Sequence, residues 1–337
     1  MKKSIYLFLF LILLCLAFCG CSSGGQSEPI TKQGVYFDTV ISVTLYDTSD
    51  NAKACLDGCF DIADKCENLF SKSIETSDVT KINSSKGMPV TVSKETIDII
   101  DASMKYSNVS DDKFSIVCGA LTSLWNISEE NPYIPSGDEI KDALKHVGDD
   151  KISYDKESCT VTLLDPEASV DFGAIAKGYI ADTMKEYLLA NGINQGIISL
   201  GGNILLLGEK PDKSTGQNLT SPYNIGIQKP FSQGGANVIT SIKVSNTSVV
   251  TSGNYQRCFT KEDKLYHHII DLTTGYPADS GLNSVTVICP SSVDADMLST
   301  ICFLLGEEKG VELIESLKDT DAIFVSERNE ILYNKIP

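Results

Sequence analysis

Two oxygen-bearing side chains stand four residues apart near the C-terminus, at Asp296 and Thr300. This spacing places the carboxylate and the hydroxyl on one face of a helix. Both groups are hard oxygen donors of the kind that Mg²⁺ prefers in proteins. Asp294 and Asp296 could equally cap the start of the helix, where they would satisfy free backbone N–H groups and the helix dipole. The spacing alone therefore indicates either a metal site or a helix cap.

A second candidate is the segment from Asp171 to Lys177, in which a strand is followed by small residues and the start of a helix. Gly173 and Ala174 would let a ligand approach the backbone closely. The first turn of a helix offers unpaired N–H groups to an anion, and Lys177 adds a positive charge there. The segment indicates a phosphate site; an ordinary strand-to-helix turn is the alternative.

Paired glycines, Gly201 and Gly202, follow a predicted strand. Such a pair forms a tight turn or brings its backbone against a ligand. The sequence contains neither the GxGxxG dinucleotide motif nor the phosphate-binding GxxxxGK(S/T) motif. A Rossmann-type oxidoreductase is therefore not supported.

Two adjacent histidines, His267 and His268, precede Asp271 and a Thr-Gly-Tyr-Pro turn. On a strand their side chains face opposite ways, so at most one of them points into a given site. An imidazole there could relay a proton or contact a phosphate. A structural histidine at a strand edge is the alternative.

The elements that must position these groups do not alternate regularly between helix and strand. Periodicity predicts helices over 51–69, 93–106 and 174–190, and strands over 34–46, 169–172, 195–200, 223–228, 238–244, 268–271 and 284–288. Ser136 and Glu139 match a capping box at the start of a short helix. We therefore expect an α+β fold with mixed, mainly antiparallel sheets and flanking helices, which forms one or two lobes over residues 34–337.

Composition limits the possible partners. The formal net charge of the 337-residue chain is −17, and binding to nucleic acid needs a surplus of Lys and Arg instead. Of the cysteines, Cys55, Cys59 and Cys66 fall on the apolar face of a predicted helix, which favours buried thiols over a disulfide framework.

The first residues have the pattern of a targeting signal. Lys2 and Lys3 precede an apolar run over 5–18 that is too short to span a bilayer comfortably. We expect a lipoprotein signal peptide at 1–20, lipidation of Cys21, and a flexible tether over 21–33. A plain secretory signal, or Cys19 as the lipidated residue, is the alternative. The expected location is the cell membrane, with the protein lipid-anchored and facing away from the cytoplasm.

Five motifs in order resemble the ApbE family, the FAD:protein FMN transferases. They are DFGAIAKGYIAD from Asp171, SLGGN from Ser199, TSGNY from Thr251, HHIIDLTTGYPAD from His267, and the D-x-D-M-L-S-T-I run that ends at Ile301. The resemblance extends from about Phe37 to the C-terminus and implies an ApbE-like, T-fold-like architecture with an elongated cleft for FAD.

The resemblance also implies a set of site residues. Mg²⁺ would be held by the Ala174 carbonyl, Asp296 and Thr300, and His268 would be the histidine of the site. The residues implied in FAD binding are Phe37, Phe114, Lys177, Gly201, Gly202, Thr251, Ser252 and His268. The sequence departs from the family at Phe37-Asp38-Thr39, where Met-Gly-Thr is usual, and at Phe114-Ser115, where Phe-Asp is usual.

The implied activity is Mg²⁺-dependent transfer of FMN from FAD, as substrate, to a threonine hydroxyl of an acceptor protein, with release of AMP. His268 is the candidate base, with Asp271 in reserve. The expected partners are redox-pump subunits or extracellular FMN-binding proteins that carry a threonine flavinylation motif. Two alternatives are an Mg²⁺-dependent FAD pyrophosphatase, which gives FMN and AMP, and a non-enzymatic flavin-binding lipoprotein.

Overall fold

The computed structural model describes residues 28–127, 132–212, 219–232 and 237–336. The predicted signal peptide, Cys19, Cys21 and residues 21–27 of the predicted tether lie outside these ranges. Among the helices of the described ranges, none combines the length and the hydropathy that crossing a bilayer requires. The eight cysteines of these ranges are free thiols, and Cys55, Cys59 and Cys66 are buried as predicted.

An eight-stranded sheet with only antiparallel pairings forms the centre of the fold. In spatial order its strands are β1 (Ile30–Tyr36), β2 (Thr39–Leu45), β6 (Gly196–Leu200), β7 (Asn203–Leu207), β12 (Ser248–Gly253), β15 (Leu282–Cys289), β16 (Asp321–Ser326) and β17 (Ile331–Lys335). Every residue of β15 is buried, because elements cover both faces of the sheet at its centre. The predicted α+β class is confirmed.

Seven α-helices are found in the described ranges, and most begin at a serine cap. They are α1 (Asp50–Phe70), α2 (Asp78–Asn83), α3 (Lys94–Met104), α4 (Gly119–Trp125), α5 (Gly137–Ala143), α6 (Ala176–Ala190) and α7 (Ser292–Ser316). The hydroxyls of Ser49, Ser93 and Ser136 accept hydrogen bonds from the first turns of α1, α3 and α5, and Ser136 forms the predicted capping box with Glu139. α7 breaks at Gly306, which has a φ of 81°.

Short strands form the remaining sheets. They are β3 (Val90–Thr91), β4 (Ile152–Asp155), β5 (Thr160–Leu163), β8 (Lys210–Asp212), β9 (Leu219–Ser221), β10 (Tyr223–Gln228), β11 (Val238–Val244), β13 (Cys258–Lys261) and β14 (Lys264–His267). The β10–β11 hairpin covers one face of the central sheet, where Tyr223 and Ile242 belong to the same apolar cluster as Val249 and Ile288. α6 and α7 cover the other face.

The two long helices meet closely at the point where the candidate site lies. A Cβ atom added to Gly178 of α6 would lie 2.4 Å from the Ser292 carbonyl oxygen of α7. Glycine is therefore required for this approach. Asp182, one turn further along α6, accepts hydrogen bonds from the backbone N–H groups of Ser292 and Val293 at 3.0 Å each. The carboxylate thus caps α7 and fixes its start against α6.

Three predicted segments differ from the structure. The strand predicted over 34–46 is the hairpin β1–β2, which turns at Phe37 and Asp38, and Ile30 to Gln33, assigned to the tether, are part of β1. Residues 169–172 form no strand. The strand predicted over 268–271 is also absent, because β14 ends at His267 and only Ile270 makes an isolated bridge, to Pro277.

Candidate functional site

The turn that precedes α6 is built by the Asp171 carboxylate. Its Oδ1 accepts a hydrogen bond from the Gly173 N–H at 2.9 Å, and its Oδ2 accepts from the Thr122 hydroxyl at 2.8 Å and from Lys72 Nζ at 3.1 Å. Burial opposes the ionisation of Asp171, but the charge of Lys72 and these hydrogen bonds outweigh it and lower the pKa. An ionised Asp171 therefore fixes the backbone that presents Gly173 and Ala174.

Lys177 joins this turn to the start of α7. Its ammonium donates a hydrogen bond to the Gly173 carbonyl oxygen at 3.2 Å and lies 3.6 Å from Asp296 Oδ1. The two oxygens belong to segments more than a hundred residues apart in the chain. A carbonyl oxygen and a carboxylate oxygen thus both face the Lys177 ammonium, as they would face a metal ion.

Asp296 is buried, with only 3% of its surface exposed. Its Oδ2 accepts a hydrogen bond from the Gly178 N–H at 2.9 Å. Burial raises the pKa of Asp296 and outweighs the opposing effects of the Lys177 charge and the Gly178 hydrogen bond. One of the helix N–H groups predicted to receive a phosphate is therefore bound by Asp296 instead.

Hydroxyl groups surround the next turn of α7. Ser252 Oγ lies 2.8 Å from Ser299 Oγ and 3.0 Å from Thr300 Oγ1. The Thr300 hydroxyl also donates to the Asp296 carbonyl oxygen at 3.3 Å. Ser252, predicted from the nucleotide-binding motif, is thus in direct contact with Thr300, predicted from the metal motif.

The donor set fits a hard divalent cation. It consists of one desolvated carboxylate, Asp296, the hydroxyls of Thr300 and Ser252, and the Gly173 carbonyl, all of them oxygen donors. No group of three or more His, Cys, Asp or Glu side chains with metal-binding geometry occurs in the described ranges. The predicted ligands contain a single carboxylate, so they do not form such a group.

A small pocket with a cavity volume of about 10 Å³ adjoins Lys177. The side chains that line it include Tyr36, Phe37, Thr39 and Leu200. A cavity of this volume has room for about one water molecule, so it does not enclose a dinucleotide in this structure. Phe37 and Lys177, predicted separately from the sequence, are brought together here.

Two tight turns lie next to residues that line this pocket. Phe37 and Asp38 have φ values of 50° and 57°, and Gly201 and Gly202 have values of 56° and 93°. A Cβ atom on Gly201 would lie 2.4 Å from the Thr39 hydroxyl oxygen, so glycine permits the two turns to touch. The carbonyl of Gly202 accepts a hydrogen bond from the Thr251 N–H at 3.2 Å, which joins the third predicted motif to the same region.

The two adjacent histidines face opposite directions, as predicted. His267 is buried, packs edge-on against Phe303, and its Nε2 lies 2.9 Å from the Ala278 carbonyl oxygen. The backbone N–H and Nδ1 of His268 lie 3.2 Å and 3.3 Å from the Arg257 carbonyl oxygen. The pKa of His268 is lowered to about 4: burial is the main cause, the hydrogen bond to the Arg257 carbonyl opposes it, and the charges of His267, Arg257 and Lys177 add to the lowering. His268 is therefore neutral at pH 7 and able to accept a proton.

Both carboxylate oxygens of Asp271, the reserve candidate for the base, already have hydrogen-bond partners. Its Oδ2 lies 2.6 Å from Lys113 Nζ, and its Oδ1 accepts from the N–H and hydroxyl of Thr273 at 2.9 Å and 2.6 Å. Burial opposes ionisation, but the Lys113 and Thr273 contacts lower the pKa of Asp271. Both oxygens are occupied, so the carboxylate stabilises the turn that begins at Asp271.

Phe114 does not line the site. It is buried, with 7% of its surface exposed, and it belongs to the main apolar cluster of the protein. The next residue, Ser115, hydrogen-bonds to Asp149 and to the Val117 N–H. The predicted contact between Phe114 and a flavin is therefore not supported, because its side chain packs inside the core.

Arg257 is a site residue that the sequence analysis missed. Its Nη2 donates to the Phe37 carbonyl oxygen at 3.4 Å, and its own carbonyl holds His268. One signal was present in the sequence: Arg257 is one of two arginines in an acidic chain, and it lies between the TSGNY and HHIID motifs.

Known proteins are similar to this chain in sequence and in fold. Residues 37–324 match the ApbE family. The chain is 37% identical over 274 residues to an FAD:protein FMN transferase of Klebsiella pneumoniae, covering 81% of this chain and 82% of that protein. It is 31% identical to an FAD:protein FMN transferase of Treponema pallidum, covering 91% of this chain and 88% of that protein.

Solved structures agree with the sequence comparisons. The crystal structure of the ApbE protein from Thermotoga maritima superposes with a TM-score of 0.82 at 28% identity, covering 91% of this chain and 97% of that one. The flavin transferase ApbE from Vibrio cholerae superposes with a TM-score of 0.78, and at 24% identity this match concerns the fold alone.

Proposed function

Since this chain belongs to the ApbE family, we propose that it is an enzyme that transfers FMN from FAD to a threonine hydroxyl of an acceptor protein and releases AMP. The matched region contains every predicted site residue from Phe37 to Thr300. The relatives that share 30–37% identity over most of the chain are FAD:protein FMN transferases.

One observation carries the proposal more than any other. The buried Asp296 carboxylate accepts from the Gly178 N–H and lies 3.6 Å from the Lys177 ammonium. The Asp296 backbone carbonyl accepts from the Thr300 hydroxyl, which also contacts Ser252. The pocket lined by Phe37 adjoins the same lysine. A buried carboxylate with paired hydroxyls nearby could hold a divalent cation, and a cation there would attract a charged diphosphate.

We propose that Mg²⁺ is held by the Ala174 carbonyl, Asp296 and Thr300. All three are oxygen donors of the kind that this ion prefers. When bound, the ion would neutralise diphosphate charge and stabilise the charge that develops on the transferred phosphoryl group. Binding it would also require Asp296 to be ionised, which opposes the burial that raises its pKa.

The protein's own groups then have defined roles in the transfer. The acceptor threonine oxygen forms a bond to the phosphorus on the riboflavin side of FAD, and the bond from that phosphorus to the bridging oxygen breaks. AMP leaves with that oxygen. The threonine proton passes to a base, for which neutral His268 is the candidate. Lys177 lies where it can hold negative charge during this step.

Location and partners extend the proposal. Cys21 would carry the lipid that holds the enzyme at the outer side of the cell membrane, where redox-pump subunits and extracellular FMN-binding proteins would present their threonines. The run of residues 5–18 and the small residues around Cys21 support this proposal. The proposal requires only that the acceptor protein carry the target threonine on an exposed segment.

The test is incubation of the purified protein with FAD, Mg²⁺ and a candidate acceptor domain. We expect AMP in solution and FMN attached to the acceptor, detected by mass spectrometry as a modified threonine. Free FMN and AMP without attached flavin would instead identify an FAD pyrophosphatase. Tight retention of intact FAD, with no AMP over hours, would identify a flavin-binding protein and contradict the enzymatic proposal.

A further inference from the structure

Arg257 connects two parts of the site that come from different motifs. Its guanidinium donates a hydrogen bond to the carbonyl oxygen of Phe37, a residue that lines the pocket. Its backbone carbonyl oxygen accepts the hydrogen bond of the His268 N–H at 3.2 Å. One residue therefore contacts both the pocket wall and the backbone that carries the candidate base.

The guanidinium has capacity for a further ligand. Arginine carries five N–H donors, and the single protein contact described for them is the long one of 3.4 Å to Phe37. Within the described ranges no carboxylate pairs with Arg257, although many of the lysines there do pair with one. Arg257 is also exposed. In a chain of net charge −17, such a guanidinium is available to an external anion.

A second positive charge acts on the same place. Lys177 of α6 and Arg257 both lower the pKa of His268 through their charges, although burial is the larger cause. Lys177 also lines the same pocket as Phe37, whose carbonyl accepts the hydrogen bond of Arg257, so both cations lie beside this turn. A multiply charged anion bound beside His268 would be attracted by both of them.

We propose that Arg257 binds the diphosphate of the dinucleotide substrate. This inference rests on the proposed function for the identity of the ligand, and the positions of Arg257, Lys177 and His268 supply the rest. The planar guanidinium matches two phosphate oxygens at once, which an ammonium cannot do. Because the carbonyl of Arg257 holds His268, the residue that binds the substrate also orients the base toward it.

The experiment compares binding of two halves of the substrate. ADP carries a diphosphate without a flavin, and riboflavin carries the flavin without a phosphate. Calorimetry in one Mg²⁺ buffer would measure both ligands on the full-length protein and on Arg257→Gln and Arg257→Lys. We expect Arg257→Gln to weaken ADP binding by about tenfold or more, as loss of a charged hydrogen bond does, and to leave riboflavin binding unchanged. Arg257→Lys should restore part of the ADP affinity.

The second arginine supplies the matched control. Arg328 is exposed on the turn between β16 and β17, so Arg328→Gln removes the same charge away from the site. ADP affinity that is unchanged in Arg257→Gln, or lowered equally in Arg328→Gln, would overturn the inference. Equal loss of ADP and riboflavin binding would also overturn it, because Arg257 would then only shape the pocket. A wild-type protein that binds ADP but releases no AMP from FAD would contradict the proposed function alone.

Discussion

Asp296 is the residue on which the chemistry of the site depends most. It is buried, and its two oxygens face the Gly178 N–H and the Lys177 ammonium. Asp294, two residues earlier, instead faces Lys105, whose Nζ lies 2.9 Å from its Oδ2. The two carboxylates of one helix turn thus have different surroundings, which allows their roles to be separated by substitution.

The first prediction concerns this pair. Asp296→Asn keeps the shape of the side chain but removes its charge, so the protein should lose affinity for Mg²⁺ and slow AMP release from FAD by at least about 100-fold, as loss of a principal electrostatic group does. Asp294→Asn should retain most of the activity. AMP release would be measured by chromatography over a range of Mg²⁺ concentrations. Undiminished, Mg²⁺-dependent release by Asp296→Asn would refute the metal assignment.

The second prediction concerns the pH dependence of His268. Its pKa is lowered to about 4 in the free protein, mainly by burial and further by neighbouring charges. A base with a lowered pKa stays neutral until the pH falls to that value. Bound diphosphate should offset the charges of Lys177 and Arg257 and raise the pKa. The acid limb of kcat/KM, which reports the free enzyme, should therefore lie at lower pH than the acid limb of kcat. The reverse order in AMP-release profiles would contradict this assignment of the base.

At the level of elements, the junction of α6 and α7 determines the geometry of the site. Gly178 permits the two helices to touch, and its N–H binds Asp296. Asp182 caps the start of α7 from the same face of α6. The position of Asp296 is therefore fixed by α6 as much as by its own helix.

The third prediction follows from this contact. Gly178→Ala places a Cβ atom 2.4 Å from the Ser292 carbonyl oxygen and 2.7 Å from Val293 Cα, both in the backbone. The helices must separate, so we expect the free energy of unfolding to fall by about 1–3 kcal/mol, and AMP release to fall as well. Gly137→Ala is the control, because a Cβ atom there meets nothing within 4 Å at the start of α5. Urea titration followed by circular dichroism would detect the difference; equal stability of the two variants would contradict it.

Local sequence patterns predicted the elements well but not the contacts between them. The i, i+4 spacing of Asp296 and Thr300 and the capping box at Ser136 are local, so both could be read directly. The bond from Gly178 to Asp296 joins residues 118 positions apart, and no local pattern encodes it. The β1–β2 turn was missed because Phe37 and Asp38 adopt positive φ where Asn-Gly is the usual signal.

Phe114 shows a related limit of the sequence. The resemblance to the family placed it at the flavin, whereas the structure buries it in the core. An aromatic residue suits either position, and only the packing of neighbouring elements decides between them. Arg257 was missed for the opposite reason, because its contacts to Phe37 and His268 appear only once the chain is folded.

For the whole molecule, charge and attachment impose two conditions. A chain of net charge −17 needs local positive charge to bind an anionic dinucleotide, and Lys177 and Arg257, both next to Phe37, are the residues that we propose to supply it. The tether was predicted to extend to residue 33, but the sheet already begins at Ile30, so fewer residues separate it from Cys21. A lipid on Cys21 would hold the domain within roughly 30 Å of the membrane, since a residue spans at most about 3.5 Å.

The last prediction tests this attachment. Cys21→Ser should move the protein from the membrane fraction to the soluble fraction, because stable anchoring depends on the buried acyl chains. AMP release from FAD should not change, since residue 21 precedes β1 and every residue assigned to the site lies after it. Flavin transfer to a membrane-bound acceptor should fall, because the enzyme and the acceptor no longer share a surface, while transfer to a soluble acceptor should be retained. Cys19→Ser is the matched control: if it releases the protein and Cys21→Ser does not, the lipid is on Cys19, and if neither does, the proposed lipidation of Cys21 is wrong.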